Sequence, residues 1–420
     1  MDKAYRTQSN RIKGLTKQEY QVLREFCRIS KNLYNVGLYH VRQHYFTEKS
    51  FLAYEANYHV SKNNENYKLL QAGISQQILK VVDRSFKSFF NLLKKAKRGE
   101  YRFQDVKMPK YLPKDGMFLL VLSTNAIRVK DGHFYIPLSK EYKKKRGIKE
   151  LKIKFPPQLE GKKLKEVRIL PKAKGQHFDI HYIYEHPFET VELDKSKVIG
   201  IDIGLNNLAT CVTSDGLSYL YDGKPLKSMN HYYNKVKAKL QAVSMKQGLK
   251  YTKRLARMDA KRNNRVKDYM RKTARSIINL CMEQNIGTLV IGYNKDFKRS
   301  INLGKKNNQQ FTQIPFGLLR EYLYNLCEHY GIDYVEQEES YTSKASFFDH
   351  DELPTWKLEK EEYVFSGKRI CRGLYQTGKG FIVNADVNGA LNILRKSNLI
   401  DMTILQGKGC LAHPQRVRIV

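Results

Sequence analysis

The chain has 420 residues, room for two or three domains with ordinary cores, and an apolar share of 41%. It carries 76 Lys+Arg against 41 Asp+Glu, a formal balance of +35, so the expected partner is a polyanion, DNA or RNA before an anionic membrane. No stretch approaches the ~20 apolar residues of a membrane-spanning helix, and the scattered Cys27, Cys211, Cys281, Cys327, Cys371 and Cys410 argue against both a disulfide framework and a zinc ribbon built on C-x-x-C pairs.

In chain order, Met1-Asp2-Lys3-Ala4-Tyr5-Arg6 is not a secretory leader; with the scattered cysteines this fits the expectation of a reducing, cytoplasmic compartment. Residues 4–13 read as a strand. Thr16-Lys17-Gln18-Glu19 is a capping box, and Val22, Phe26, Ile29, Leu33 and Val36 follow at helical spacing. A second helix aligns Ile78, Val82, Phe86, Phe89 and Leu93 and stops near Gly99. Its other face is basic, with Lys80, Arg84, Lys87, Lys94, Lys95 and Lys97. Lys107, Lys110 and Lys114 flank Tyr111 in a further basic segment. Residues 127–136 form a hairpin turning on Asp131-Gly132, and 167–170 with 178–184 form another around Lys174-Gly175. Short strands with polar turns predict a small β-barrel over residues 1–190, with a helical insertion at about 16–100.

Near residue 190 the pattern changes. An apolar strand at 198–203 is followed by a meander, 208–214 and 217–221, turning on Asp215-Gly216. A long basic helical region, 226–284, breaks near Gly248. Val266, Tyr269, Met270, Thr273, Ile277 and Leu280 face a core, while Arg262, Arg265, Lys267, Arg271 and Lys272 face away, either as a solvated surface or as a nucleic-acid contact. A strand at 288–291, a helix at 316–330, a strand at 332–338 and a helix at 387–396 complete the order. Three strands, then helix, strand, helix, strand, helix is the RNase H-like arrangement. The fold class expected is therefore a multidomain α+β and α/β protein: a 1–190 lobe, a 191–396 nuclease-like domain and a 397–420 tail.

Two acids stand out. Asp202 ends an apolar strand in Ile199-Gly200-Ile201-Asp202-Ile203-Gly204, where a carboxylate is costly unless it binds something; it reads either as a site residue or as a turn aspartate. Asp386, in Asn384-Ala385-Asp386-Val387-Asn388-Gly389-Ala390, opens a helix and reads either as its N-cap or as a site residue. Phosphodiester hydrolysis with two Mg²⁺ ions needs several converging carboxylates, so a third is required.

These segments, with Asn207-Leu208-Ala209-Thr210 and Tyr341-Thr342-Ser343, resemble the TnpB family, transposon-encoded RNA-guided DNA endonucleases related to type V CRISPR effectors. The likeness is strong over about 196–396; before that it rests on layout and charge. It implies a wedge-like barrel with a helical recognition insertion, a RuvC nuclease domain, a guide RNA from the transposon end, target double-stranded DNA and two Mg²⁺ ions, with Mn²⁺ as a substitute. Asp202 and Asp386 then match the first and last catalytic acids. The family's glutamate position holds Gly292. The next strand ends in Glu336-Gln337-Glu338-Glu339, and Glu339 is the residue expected to replace it, ahead of Glu338 and Glu336, with Asp296 and Asp349 further back. The family's zinc-ribbon span, here about 344–383, lacks its cysteine pairs, so no zinc is expected. Phe347, Phe348, Trp356 and Tyr363 would hold that hairpin instead; Asp349, His350 and Asp351 form either a metal site or an exposed loop. Nucleic-acid contacts are assigned to Lys80, Arg84, Lys87, Lys107, Lys110, Lys114, Arg262, Arg265, Arg271 and Arg372. The competing readings are a guided DNA-binding repressor that no longer cuts and a DNA transposase that works without RNA.

Overall fold

The computed structural model describes residues 3–249, 251–294, 308–309, 312–355, 363–371, 373–401, 405, 411 and 413–419. The chain forms two compact units, Met1–Pro187 and Phe188–Val420.

In the first unit, β1 (Lys3–Arg11) leads into α1 (Lys17–Glu48), then α2 (Tyr54–Ser61), α3 (Glu65–Leu69) and α4 (Ala72–Lys97). The capping box forms as read: Thr16 Oγ1 accepts from the Glu19 N–H at 3.2 Å, and the Glu19 carboxylate accepts from the Thr16 N–H at 2.8 Å. Val22, Phe26, Ile29 and Leu33 of α1 share one core with Ile78, Val82, Phe86 and Phe89 of α4. Then come β2 (Leu120–Ser123), β3 (Arg128–Lys130), β4 (His133–Tyr135), α5 (Lys140–Arg146), β5 (Lys152–Lys154), β6 (Leu164–Lys172) and β7 (His177–Pro187). Asp131 and Gly132 take φ of 50° and 65° in the β3–β4 turn, the left-handed pair that a two-residue hairpin uses.

The strands pair as two sheets, β1-β7-β6-β2 and β3-β4-β5. Among the described residues no ladder joins them, so the expected closed barrel is replaced by two sheets sharing a core, with Phe134 set edge-on against Tyr182 at 5.9 Å. The strands β3, β4 and β5 have three residues each, too short to continue a ladder round a ring.

In the second unit, β8 (Asp194–Asp202), β9 (Asn207–Thr213) and β10 (Ser218–Asp222) form the meander. They are followed by α6 (Lys224–Lys246), α7 (Lys253–Glu283), β11 (Ile286–Tyr293), α8 (Phe316–Tyr330), β12 (Asp333–Glu338), β13 (Lys368–Cys371), β14 (Leu374–Gln376), β15 (Ile382–Asn384), α9 (Ala385–Ser397) and β16 (Gln415–Val417). The main sheet has the order β12-β11-β8-β9-β10-β16. β11 runs parallel to β8 and β12, and β9 antiparallel to β8 and β10. The segment expected as a separate tail instead adds β16, parallel to β10, and Val417 joins the core there.

Strand alternation sorts the side chains onto two faces. Ile199, Ile201, Leu289 and Ile291 pack with α7 and α8 residues such as Met270, Ile277, Leu319 and Leu323. Val198 and Val290 pack on the other face with Val387, Leu391 and Leu394 of α9. By the same parity Asp202 and Gly292 lie on the α9 face.

Candidate active site

Asp202 is the last residue of β8, and Asp386 stands in the first turn of α9. The N-cap of α9 is Asn384, not Asp386: its side-chain oxygen accepts from the N–H groups of Asp386 and Val387 at 3.0 and 3.1 Å. Relieved of capping, the Asp386 carboxylate accepts from Asn207 Nδ2 at 2.8 Å and from Arg369 Nη2 at 3.1 Å. Three residues along α9, Gly389 lets the helix lie against Asp202; a Cβ there would stand 3.0 Å from Asp202 Oδ2.

Glu339 follows the end of β12. Its carboxyl occupies the space beside Gly292 on β11: a Cβ at 292 would lie 2.5 Å from Glu339 Oε2 and 2.6 Å from Ile393 Cδ1 of α9. A carboxyl from the neighbouring strand thus fills the volume that a side chain at 292 would use. Burial first, then the charge of Glu338, pushes the Glu339 carboxyl up to about 7, against a pull downward from Arg320. Asp202 is held well above the ordinary carboxylate range, first by burial, then by the charges of Asp386 and Glu339, while Arg369 pulls it down. Asp202 therefore lies within reach of the charges of two acids from distant parts of the chain, Asp386 and Glu339. Such a set favours protons or cations over free carboxylates, and its all-oxygen donors suit Mg²⁺ or Mn²⁺.

The runner-up acids are committed elsewhere. Glu338 accepts from Lys396 Nζ and from the Ser340 N–H. It turns toward α9 at the strand end, where simple alternation would have sent it to the other face. Glu336 accepts from Tyr334 Oη at 3.1 Å and pairs with Arg320 at 3.4 Å. Asp296 lies outside the described residues.

The zinc-ribbon span holds a three-stranded sheet, β13-β14-β15, rather than the simple hairpin expected. Asp349 and Asp351 serve it as acceptors: Asp349 accepts from the Ser346 hydroxyl and the Gly378 N–H, both at 2.6 Å, and Asp351 accepts from the N–H groups of Ser346 and Ser366. Those bonds hold the Asp349 carboxyl below its ordinary range despite partial burial. Phe347 is buried against Phe348, and Tyr363 packs on Tyr341; Trp356 lies outside the described residues.

Of the expected nucleic-acid contacts, Lys80, Arg84, Lys87, Lys107, Lys110, Lys114, Arg265 and Arg271 are exposed. Lys87 pairs with Asp83 at 2.8 Å, Lys80 lies over the Tyr54 ring and Arg271 over that of Tyr322. Arg262 is a correction. Its guanidinium donates to Asn230 Oδ1 and to the Gln313 carbonyl at 2.6 Å, a tether within the unit rather than a free cation. Arg372 lies outside the described residues.

Two site residues escaped the sequence reading. Asn207 is 8% exposed at the start of β9. Asparagine is depleted in strands, and that signal was available. Arg369 sits on an exposed strand in a chain rich in arginine, and nothing local distinguishes it.

Residues 181–298 match the family OrfB_IS605, described as a probable transposase, and residues 316–393 match the Cas12f1-like TNB domain. A TnpB-like protein, ORF457 of Acidianus two-tailed virus, is 24% identical over 415 residues, covering 89% of this chain and 83% of that protein. Among solved structures, the protein of a Cas12f1–sgRNA–target DNA complex aligns with a TM-score of 0.53 at 14% identity, covering 90% of this chain and 83% of that one. The mini-RNA-guided endonuclease CRISPR-Cas_phi3 aligns at 0.51 and 11% identity, covering 94% and 92%. At these identities the likeness to the two structures is one of fold.

Proposed function

We propose that this chain, similar to TnpB-type proteins, is an RNA-guided DNA endonuclease whose RNase H-like, RuvC-type unit cuts with Asp202, Glu339 and Asp386. The observation that supports the reading is that Asp202 lies within reach of the charges of both Asp386 and Glu339, with the Glu339 carboxyl lodged where residue 292 has no side chain. Two Mg²⁺ ions, when bound by these acids, supply an activated water and offset charge on the leaving oxygen. The chain's own residues set the conditions. Asn207 fixes the Asp386 carboxylate, Arg369 balances its charge, and burial keeps Glu339 and Asp202 in water-poor surroundings where charge interactions are strong. A guide RNA from the transposon end lies on the basic surfaces, including Lys80, Arg84, Lys87, Arg265 and Arg271. The first unit reads a short motif beside the target, and base pairing supplies the remaining specificity.

The test is purification with the flanking transposon-end transcript and plasmid cleavage in Mg²⁺ by wild type, Asp202→Ala, Asp386→Ala and Glu339→Ala. All three variants are expected to be inactive. Glu339→Ala cutting like wild type removes it from the site. Two observations favour a second reading, a guided repressor: Gly292 stands at the family's glutamate position, and Arg369 already pairs with Asp386. That reading expects guide and target binding with no cleavage in any divalent metal. Cleavage by RNA-free protein would instead favour the transposase.

A further inference from the structure

The helix α9 carries Asp386, but a second stripe of it faces elsewhere. Asn388, Asn392 and Lys396 stand at i, i+4 and i+8, on one side of the helix. Both asparagines are fully buried, and the Lys396 side chain is 8% exposed. Asn388 Nδ2 donates to the Ala345 carbonyl at 2.8 Å, and its Oδ1 accepts from the Phe347 N–H at 3.0 Å. Asn392 Nδ2 donates to the carbonyls of Thr342 and Ala345 at 2.9 and 2.8 Å. Lys396 Nζ donates to the Glu338 carboxylate and to the carbonyls of Ser340 and Pro354, the latter two at 3.2 and 3.0 Å. Every one of these partners lies in the stretch 338–354, which begins with the last residue of β12 and contains Glu339.

The sheet does not hold Glu339. The β11–β12 ladder ends at Tyr293 opposite Glu338, one residue short of it. The Glu339 carbonyl is instead held within its own turn by the Thr342 hydroxyl at 2.9 Å, and that turn places Tyr341 at a φ of 65°. A buried ammonium is costly unless its protons are used, and Lys396 directs its donors to Glu338 and Ser340, on either side of Glu339, and to Pro354.

We propose that Asn388, Asn392 and Lys396 are positioning residues that suspend the Glu339 turn from α9, so that one helix sets two of the three acids: Asp386 directly and Glu339 through the residues on either side of it. The proposal rests on the reading of Glu339 as the third acid. It has a consequence that general stabilisation would not have. A carboxylate carried at position 292 hangs from the β11 ladder and does not need the stripe.

The experiment uses the full chain with its guide RNA. Mn²⁺ binding is titrated by electron paramagnetic resonance, cleavage is followed in Mg²⁺ under single-turnover conditions, and folding is followed by thermal melting. Lys396→Met is expected to keep guide and target binding while weakening Mn²⁺ binding and cleavage by about tenfold or more, the usual cost of losing support behind a metal ligand. Asn392→Leu is expected to act in the same direction and serves if Lys396→Met does not fold. The exchange Gly292→Glu with Glu339→Gly is expected to bind Mn²⁺ and to be indifferent to Lys396→Met. Unchanged Mn²⁺ affinity in Lys396→Met and Asn392→Leu overturns the proposal, as does equal sensitivity of the exchanged protein. If the exchanged protein is inert by itself, the two single variants decide. Loss in Glu339→Gln without loss in Lys396→Met defeats the positioning role alone; wild-type behaviour of Glu339→Gln defeats the third acid, and the proposal with it.

Discussion

Gly292→Ala is the smallest change that tests how the site is assembled. The added Cβ would stand 2.5 Å from Glu339 Oε2 and 2.6 Å from Ile393 Cδ1, where real Cβ contacts do not fall below 3.0 Å. The Glu339 carboxyl must therefore retreat by at least about half an ångström, and the Ile393 methyl by nearly as much. Crowding a packed site with one methyl costs about 1–3 kcal/mol. A misplacement of about 1 Å at a reacting centre costs about a hundredfold in rate, so half of that predicts a loss of about tenfold. The two contributions separate with Ile393→Val, which removes the offending methyl. Gly292→Ala with Ile393→Val should regain much of the stability, measured by urea unfolding, and little of the single-turnover cleavage rate. If Gly292→Ala cleaves at the wild-type rate, the Glu339 carboxyl does not sit beside residue 292 in the working enzyme, and the argument for its role collapses.

The acid cluster also makes a prediction about pH. In metal-free protein Glu339 rises from 4.5 to about 7, and Asp202 rises as well, so the folded chain binds protons more tightly than the unfolded one. The Glu339 contribution is then fully present below pH 4.5 and is lost as pH climbs through 7, a share of at most about 3 kcal/mol. Glu339→Gln should flatten this slope in denaturant melts run in EDTA; an unchanged slope refutes the assignment. Asn207→Leu removes the 2.8 Å donor to a part-buried carboxylate and should lower stability by about 1–3 kcal/mol while slowing cleavage; a fully active variant would show that Asp386 needs no such anchor. Replacing the exposed Lys107, Lys110 and Lys114 with alanine should make nucleic-acid binding less salt-dependent, by about 0.9 in the log–log slope for each duplex phosphate that is no longer neutralised. A slope equal to that of wild type would exclude this segment from the interface.

Local rules were legible where local physics decides. The Thr16–Glu19 box, the Asp131-Gly132 turn, the break at Gly248 and the helix Phe316–Tyr330 all follow from residues within a turn or two of one another. What was not legible depends on distant pairing. The strand Gln415–Val417 has three residues, two of them exposed, and exists because β10 leaves an edge open nearly two hundred residues earlier. Arg262 resembled its exposed neighbours Arg265 and Lys267 until Asn230 and the Gln313 carbonyl were placed beside it. Asp202 and Asp386 were visible because a carboxylate next to apolar strand residues, and one flanked by small helical residues, are locally anomalous. Arg369 carries no such anomaly. Asp386 also shows how a sound local rule misassigns: Asp and Asn are near-equal N-caps, and Asn384, two residues earlier, took the position.

The energetics of the cluster bear on whether the chain still cuts. Holding Asp202 and Glu339 half-buried, with Asp202 in reach of the Glu339 charge, makes them proton-hungry and costs folding stability at neutral pH. A protein that only needed to bind a guide and its target would lose nothing by replacing either acid with an apolar or amide side chain, and would gain stability. Here the opposite arrangement stands. Where residue 292 lacks a carboxylate it also lacks any side chain, and the volume beside it is filled by Glu339 from the neighbouring parallel strand. Adjacent strands lie about 4.8 Å apart, a step that a glutamate one residue past the ladder spans. The combination of glycine at 292 with a largely desolvated acid at 339 costs stability, and it fits the relocated metal ligand proposed above. Returning a glutamate to position 292 without removing Glu339 should therefore not improve the enzyme: two carboxyls would compete for one volume, and Gly292→Glu alone should be both less stable and less active than wild type. Higher activity in that variant would mean that the pocket was empty of function before the change.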